Sequence, residues 1–507
     1  MKRRTIYLDD RGVDREIVLA NGRRAATGLA SLGVGEGDCV ALLLRNDFVF
    51  FEAQQAAAAL GAYSIPINWH GAPDEILYVV NDARPKAMVA HADLLAAVRH
   101  LLPEGLAVLV APTPPEIARA YHLSERQCAP APREVAWGDW LSGFEEWTGA
   151  PKPTRATMIY TSGTTGHPKG VQRAPASPEQ AAAYIEMIAR VYGLAPGVRA
   201  LVAGPLYHAS PNAYGRQALP NADVLVMQSK FDAEAALRLI ETHRITNAVM
   251  VPTMFIRLLK LPHDVRARYD VSSLQWVTHT GAPCPAPVKR ELMNWWGPIV
   301  YETYGGTEVG TATLATPDDA MSYPGSVGAP TPGTRIAFYD ETGNLLPTGE
   351  IGEIYMRVPA YADFTYLNDP EKRSRAERDG LISVGDIGYL KDGHLYLCDR
   401  RSDMVISAGA NIYPAEIENV LVQCPGVQDC AVFGIPDDEV GESLVAAVEP
   451  APDAEVAVDA IREFLAARIA KYKIPGLFEF YAALPRHDSG KIFKRKLREQ
   501  FLSARGS

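Results

Sequence analysis

Residues 160–171 read Tyr160-Thr161-Ser162-Gly163-Thr164-Thr165-Gly166-His167-Pro168-Lys169-Gly170-Val171. The preceding run, Ala156-Thr157-Met158-Ile159-Tyr160, is apolar or β-branched and predicts a short buried strand, so the glycines begin where a strand ends. Gly163 and Gly166 permit positive φ and close approach of the backbone. The hydroxyls of Thr161, Ser162, Thr164 and Thr165 and the ammonium of Lys169 supply donors and charge. That is the chemistry of a phosphate cradle, and the competing reading of any such Gly/Ser/Thr run is a polar surface loop. Lys169 is followed by Gly170 and Val171 where a Walker loop places Ser or Thr for magnesium, which sets the P-loop NTPases aside.

Upstream of this loop, helical and strand patterns alternate. Apolar residues recur at helical spacing from Glu16 to Leu32, and Gly33 to Asp38 end that helix before a strand over Cys39–Leu44. An Ala-rich helix over Phe51–Leu60 stops at Gly61 and feeds a strand over 62–68; helix Asp74–Asn81 and strand Ala87–Ala90 follow. The segment Thr113–Pro153 reads as a connector. Downstream, helix Ala181–Tyr192, strand Arg199–Ala203 and the turn Gly204-Pro205-Leu206-Tyr207-His208 come in order, the turn lying at a strand's carboxyl end where open α/β sheets bind ligands. Asp232 is the expected N-cap of a helix to Thr242, and strands at 247–251, 274–278 and 299–301 each lead into a polar loop. Short strands and tight turns beyond Gly325 predict a β-rich subdomain, with an Asp392-Gly393 hairpin turn running into the charged stretch Asp399-Arg400-Arg401-Ser402-Asp403. A separate α+β pattern follows. The expected fold is therefore α/β: a large N-terminal domain, 1–400, of mostly parallel sheets with helices plus a β-rich part, and a small C-terminal domain, 401–507.

Composition narrows the function. At 507 residues the chain exceeds one ordinary core. Its 47% hydrophobic and 22% charged residues are those of a globular chain, and a net charge of −10 argues against a nucleic-acid partner. The apolar stretch 51–68 contains Glu52, Gln54, Gln55 and Pro66 and does not read as a membrane span, and no apolar run follows the basic start, so a cytoplasmic location is expected. The six cysteines lack zinc spacing.

The twelve-residue run resembles the signature of the adenylate-forming superfamily, which includes AMP-forming acyl-CoA synthetases, peptide-synthetase adenylation domains and firefly-type luciferases. Further motifs recur in family order over nearly the whole chain. The resemblance implies that the loop, Thr161 to Gly166 with Lys169, holds the β- and γ-phosphates of ATP. Gly281-Ala282-Pro283 is similar to the adenine-lining backbone. In Glu302-Thr303-Tyr304-Gly305-Gly306-Thr307-Glu308, Tyr304 stacks on adenine, Thr307 lies near the α-phosphate, and Glu308, with Thr165, faces Mg2+. Asp386 accepts from the ribose hydroxyls with Arg400 beside it, as suits an ionised carboxylate. Lys491, in Pro485 to Lys491, resembles the family's mobile catalytic lysine, and Gly409 the lining of the pantetheine tunnel. Ser402 stands at the hinge position, where the family has Asp or Lys, so the hinge slides to Asp403 as an alternative. His208 matches the residue gating the acyl pocket, lined by His208, Ala209, Ser210, Ala213 and Gly305, with Glu308 and His208 joining Lys491 in the catalytic set.

The implied activity is an AMP-forming acid:CoA ligase. Carboxylate and ATP with Mg2+ give acyl-adenylate and pyrophosphate; the small domain turns as a lid, and CoA then displaces AMP. The partners implied are a carboxylic acid, ATP and CoA, and a homodimer remains open. Gly305, where acetate-activating relatives carry Trp, implies a deep apolar pocket for a medium-chain, long-chain or ring-bearing acid, and Gly305→Trp is expected to close it. No acidic residue between Tyr207 and Arg216 is placed for a substrate amine. The alternatives are a stand-alone enzyme loading an acyl carrier protein, a luciferase-like monooxygenase and a non-catalytic nucleotide sensor. Ser507 is expected to be followed by no carrier domain, the end reads without a peroxisomal Ser-Lys-Leu, and the presence of Lys491 argues against the sensor. If Lys491 acts only while the lid faces ATP, Lys491→Ala abolishes acyl-adenylate formation yet still converts supplied acyl-adenylate and CoA to thioester; equal loss of both half-reactions removes Lys491 from that role.

Overall fold

The computed structural model describes residues 4–505 except 154, 162–167, 283, 408–409, 438, 453, 487–491 and 493. The largest sheet has nine strands, in the order Ala329–Pro330, Gly310–Ala315, Val300–Gly306, Trp276–His279, Asn247–Met250, Arg199–Val202, Val224–Met227, Thr5–Leu8, Arg11–Asp14. Its six central strands are parallel, and antiparallel strands close both edges. Parallel strands joined through helices are covered on both faces, which is why Arg199–Val202 and Val224–Met227 are nearly unbroken apolar runs.

A second, all-parallel sheet orders Tyr63–Pro66, Cys39–Leu43, Ala87–His91, Ala107–Ala111 and Val135–Ala136. The helix Phe48–Ala59 that precedes its edge is buried along most of its length and carries the apolar stretch discussed above. Among the described residues no helix is long and apolar enough to cross a membrane.

Three differences from the sequence reading matter for the site. The segment Thr113–Pro153 is more than a connector: it holds helices Pro115–Ala120, Glu125–Cys128 and Trp137–Ser142, and Val135–Ala136 adds an edge strand. Ile159–Thr161 is half-buried and pairs antiparallel with Lys169–Arg173, which in turn pairs with Phe364–Tyr366. The glycine-rich loop therefore joins two strands of a hairpin, whereas a Walker loop leads into a helix. The strand at Val300 continues through Gly306, because Gly305 and Gly306 still pair with the returning strand.

The β-rich part is a separate sheet built on the long strand Leu381–Lys391, which pairs with Gly352–Arg357 and, through the Asp392-Gly393 turn, with His394–Arg400. Both turn residues have positive φ, 50° and 77°, as a two-residue hairpin turn needs. After it, strands Val405–Ser407, Ala410–Ile412, Val427–Asp437, Gly441–Pro450 and Leu477–Phe480 form their own sheet, with helices Pro414–Leu421, Val458–Ala466 and Lys494–Arg505.

A buried carboxyl locks the former connector to the core. Glu52 is 4% exposed and accepts from Asn21 Nδ2 and Trp137 Nε1, each at 2.7 Å. Burial pushes its carboxyl up to about 7 despite both hydrogen bonds. A folded-state value above the unfolded one means that this group's stabilisation is complete below the unfolded value of 4.5 and is lost as pH rises through 7. The loss is at most about 3 kcal/mol. Urea unfolding between about pH 5 and about pH 8 should show this decline, and Glu52→Gln should flatten it; an identical slope in the variant removes Glu52 as its origin.

Candidate functional site

The strands of the large sheet deliver several of the site residues at their carboxyl ends, and the glycine-rich hairpin and the β-rich sheet supply the others. After Arg199–Val202 the chain turns through Gly204 to His208, and Asn46 fixes that turn: its Nδ2 donates to the carbonyls of Gly204 and Gln228 at 3.0 and 2.9 Å, and its Oδ1 accepts from Leu206 N at 2.8 Å. His208 then N-caps helix Ala209–Asn221, its ring 4.1 Å from that of Tyr207. His208, Ala209, Ser210 and Ala213 are half-buried together at the start of this helix, with Ser210 Oγ 3.0 Å from Tyr192 Oη. Below them lies a polar knot in which Thr157 Oγ1 donates to Asn212 Oδ1 at 3.1 Å and accepts from Gln54 Nε2 at 3.0 Å. It ties this helix to the approach of the glycine-rich hairpin.

The next two strands bring the nucleotide candidates together. Thr280 Oγ1 donates to the carbonyl of Thr303 at 3.0 Å, holding the turn at Gly281 and Ala282, where Gly281 has φ +89°, against strand Val300–Gly306. Tyr304 is buried and its hydroxyl donates to Asp386 Oδ2 at 2.7 Å, while Arg400 Nε lies 3.3 Å from Asp386 Oδ1 across the hairpin. Burial, then the Asp386 charge, raises the Tyr304 phenol well above its ordinary range, so it stays a donor. Arg400, which the sequence grouped with Asp386, lies beside it, and the bond from Tyr304 is an added contact that the sequence reading did not contain.

At the far end of the strand, Glu308 Oε1 accepts from Thr161 Oγ1 at 3.3 Å and from Tyr366 Oη at 3.0 Å. Burial and the Glu308 charge raise the Tyr366 phenol, keeping its proton on the hydrogen bond. Lys169 pairs with Asp369 at 3.7 Å. One residue that the sequence did not single out organises this corner. Arg173, 8% exposed, donates to the carbonyls of Ala362, Thr307 and Glu308 at 2.7, 2.7 and 2.9 Å. Its only sequence signal is its place two residues beyond Val171 on the hairpin strand.

Two expectations are corrected. Glu302 is committed elsewhere: buried, it hydrogen-bonds Lys289 and lies 3.8 Å from His279, whose imidazole burial pushes down to about 4 and keeps neutral. It braces the strand against helix Ala286–Trp296 instead of facing nucleotide. Gly305 does not leave room for a larger residue, because a Cβ there would sit 1.9 Å from Gly310 O and 3.1 Å from Ala312 N. The direction in which a side chain would grow is filled by main chain, so Gly305→Trp cannot simply plug an acyl pocket. Thr307 contributes its carbonyl to Arg173, and Ser402 lies exposed in a local turn, its Oγ donating to Asp403 Oδ1 at 3.2 Å. Ser162, Gly163, Thr164, Thr165, Gly166, Pro283, Gly409 and Lys491 lie outside the described residues.

No group of three or more His, Cys, Asp or Glu able to hold a metal occurs among the described residues. Glu308 is a single carboxylate whose Oε1 takes hydroxyl donors. One protein carboxylate completed by substrate phosphates is the donor set Mg2+ accepts, and a resident zinc or calcium site needs more ligands. The residues present fit a magnesium ion held by Glu308 and the phosphates of ATP.

With this geometry in view, residues 18–363 match the AMP-binding enzyme family and residues 416–491 match the AMP-binding enzyme C-terminal domain. The chain belongs to the AMP-binding enzymes, the adenylate-forming acyl-CoA synthetases and ligases, which use ATP, Mg2+ and CoA. It is 33% identical over 493 residues to a long-chain-fatty-acid–CoA ligase of Mycobacterium tuberculosis, covering 95% of this chain and 92% of the relative. It is 30% identical over 512 residues to a fatty acid–[acyl-carrier-protein] ligase of Streptomyces coeruleorubidus, covering 98% and 93%. Among solved structures, the amide bond synthetase of Marinactinospora thermotolerans superposes with a TM-score of 0.85 at 26% identity, over 99% of this chain and 97% of the other.

The main-chain pinch at Gly305 is directly testable. Gly305→Ala should lower stability by about 2–3 kcal/mol, read as a drop in urea midpoint; an unshifted midpoint means that the strands part without cost there.

Proposed function

We propose that the protein is an AMP-forming acid:CoA ligase acting in the cytoplasm on a hydrophobic carboxylic acid, fatty or ring-bearing. The observation that carries this reading is the meeting of Thr161 with Glu308, 147 residues apart in sequence, beside the Tyr304–Asp386–Arg400 cluster. A phosphate-type loop on one hairpin, a metal-type carboxylate at the end of a strand of the large sheet and a ribose-type carboxylate from the β-rich sheet are thereby brought together. In the first half-reaction a carboxylate oxygen of the acid bonds to the α-phosphorus and the bond to the β-phosphate oxygen breaks, releasing pyrophosphate. Negative charge grows on the phosphate oxygens and is offset by Lys491 and Lys169, while magnesium, when bound, adds electrostatic stabilisation of the phosphates. Asp386 fixes the ribose and Tyr304 the adenine. In the second half-reaction the CoA sulfur bonds to the acyl carbon and AMP departs, with residues 401–507 turned as a lid about Ser402 and Gly409 lining the thiol's path.

The acid's character rests on what the start of helix Ala209–Asn221 presents. Ala209, Ser210 and Ala213 are small, and no carboxylate stands between Tyr207 and Arg216 to hold an amine. Each buried methylene is worth about 0.8 kcal/mol, or roughly fourfold in specificity, so a few carbons separate a hydrophobic acid from acetate by orders of magnitude. The similarity to a fatty acid–[acyl-carrier-protein] ligase supports a second reading, in which a carrier protein accepts the acyl group.

Pyrophosphate release and thioester formation across acetate, fatty and aryl acids, with and without CoA, separate these. The expected outcome is CoA thioester from a hydrophobic acid at a kcat/KM about a hundredfold above acetate. Preference for acetate, or pyrophosphate release that never yields CoA thioester, overturns the reading.

A further inference from the structure

Both hydrogen bonds that reach the Glu308 carboxylate land on the same oxygen. Oε1 accepts from Tyr366 Oη at 3.0 Å and from Thr161 Oγ1 at 3.3 Å, whereas Oε2 accepts from nothing among the described residues. Oε2 turns toward Gly306, which carries no side chain, and lies 3.5 Å from the point where a Cβ would stand. The two donors are held differently. Thr161 is half-buried at the mouth of the glycine-rich loop. Tyr366 is 5% exposed and comes from outside the hairpin, on the strand Phe364–Tyr366 that pairs with Lys169–Arg173, with Tyr366 opposite Val171. The Phe364 ring meets the Tyr366 ring edge-on at 5.4 Å, and the Lys372 ammonium lies 4.6 Å from its centroid. Asp369, which N-caps the helix carrying Lys372, pairs with Lys169 at 3.7 Å. One short segment thus sets a hydroxyl against the carboxylate of the site and a carboxylate against its lysine.

A buried tyrosine needs an acceptor for its O–H, and any carbonyl would meet that need. A carboxylate is a different partner, because a donor fixed against one oxygen orients the whole group and leaves the other oxygen to make ligand bonds. The number of oxygens offered matters to a cation. Mg2+ demands near-octahedral geometry and keeps much of its water, whereas Ca2+ takes more oxygens and readily accepts both from one carboxylate. Resting on the assignment of Glu308 to magnesium, we propose that Tyr366 is a positioning residue: its hydroxyl occupies Oε1, so that Glu308 offers a cation Oε2 alone, and this single oxygen selects Mg2+ over Ca2+.

Tyr366→Phe removes the hydroxyl and keeps the ring against Phe364 and Lys372. Calorimetric titration of the full chain with ATP in EDTA, in Mg2+ and in Ca2+, with neither acid nor CoA present, reads metal-dependent binding without turnover. The gain in ATP affinity on adding Mg2+ should fall about tenfold in the variant, while the gain on adding Ca2+ holds or rises and affinity in EDTA is unchanged. In the Glu308→Gln background the same substitution should cost nothing further, because its effect passes through that carboxylate. Mg2+ gains that are equal in wild type and Tyr366→Phe, Mg2+ and Ca2+ gains that fall together, affinity already lost in EDTA, or a further loss in the Glu308→Gln background would each overturn the proposal and leave Glu308 its role. A wild type whose ATP affinity ignores Mg2+ would overturn the assignment of Glu308, and the proposal with it.

Discussion

A single buried guanidinium holds the candidate site in register. Arg173 leaves the hairpin, crosses beneath the Thr307–Glu308 loop and gives three hydrogen bonds to carbonyls from two distant segments. It lies 4.8 Å from the Tyr361 ring, so an aromatic face and main-chain dipoles carry its charge where no carboxylate is paired with it among the described residues. Taking a cation out of water is tolerable only when its donors are filled. Here filling them forces the hairpin, the end of strand Val300–Gly306 and the loop at Ala362 into one arrangement. The 3.3 Å approach of Thr161 to Glu308 follows from that arrangement.

The rest of the site is positioned by sheet ends and by polar clamps with short reach. Asn46 does for the Gly204–His208 turn what Arg173 does for the other corner, using one amide for three backbone partners. Both clamps use side chains with several donors or acceptors, and both connect segments more than a hundred residues apart. The site is thus assembled by few residues, and its geometry depends on the parallel sheet keeping its strand order.

Much of this was legible in the sequence, and the reasons are local. Asp232 as an N-cap, Gly61 as a helix stop and Asp392-Gly393 as a hairpin turn are short-range signals, and each occurs where it was read. The pairing of Asp386 with Arg400 came from the family resemblance, whereas the bond from Tyr304 to Asp386 was not read, since nothing in local spacing joins residue 304 to residue 386. What stayed hidden was long-range. Trp137 reads as a stray aromatic in a Pro-rich segment until Glu52 is seen to accept its indole N–H. Arg173 looks like a solvated charge on a short strand, because its partners are carbonyls and carbonyls leave no trace in composition. The burial of Glu302 was missed for the opposite reason: a motif assigned it a place, while Lys289 one helix away had already taken its charge.

The close passage of Gly305 against Gly310 and Ala312 has an evolutionary side. Where a wall is main chain, its shape is shared by two strands and belongs to neither residue alone. A larger residue at 305 becomes acceptable only after the course of 310–312 has changed, so the two stretches must mutate together, and the order of the steps is constrained. Positions such as Ala209 and Ala213, on one face of a helix, carry no such debt and can vary singly. Diversification of this scaffold toward new acids should therefore run first along the helix and reach the strand late, through paired changes.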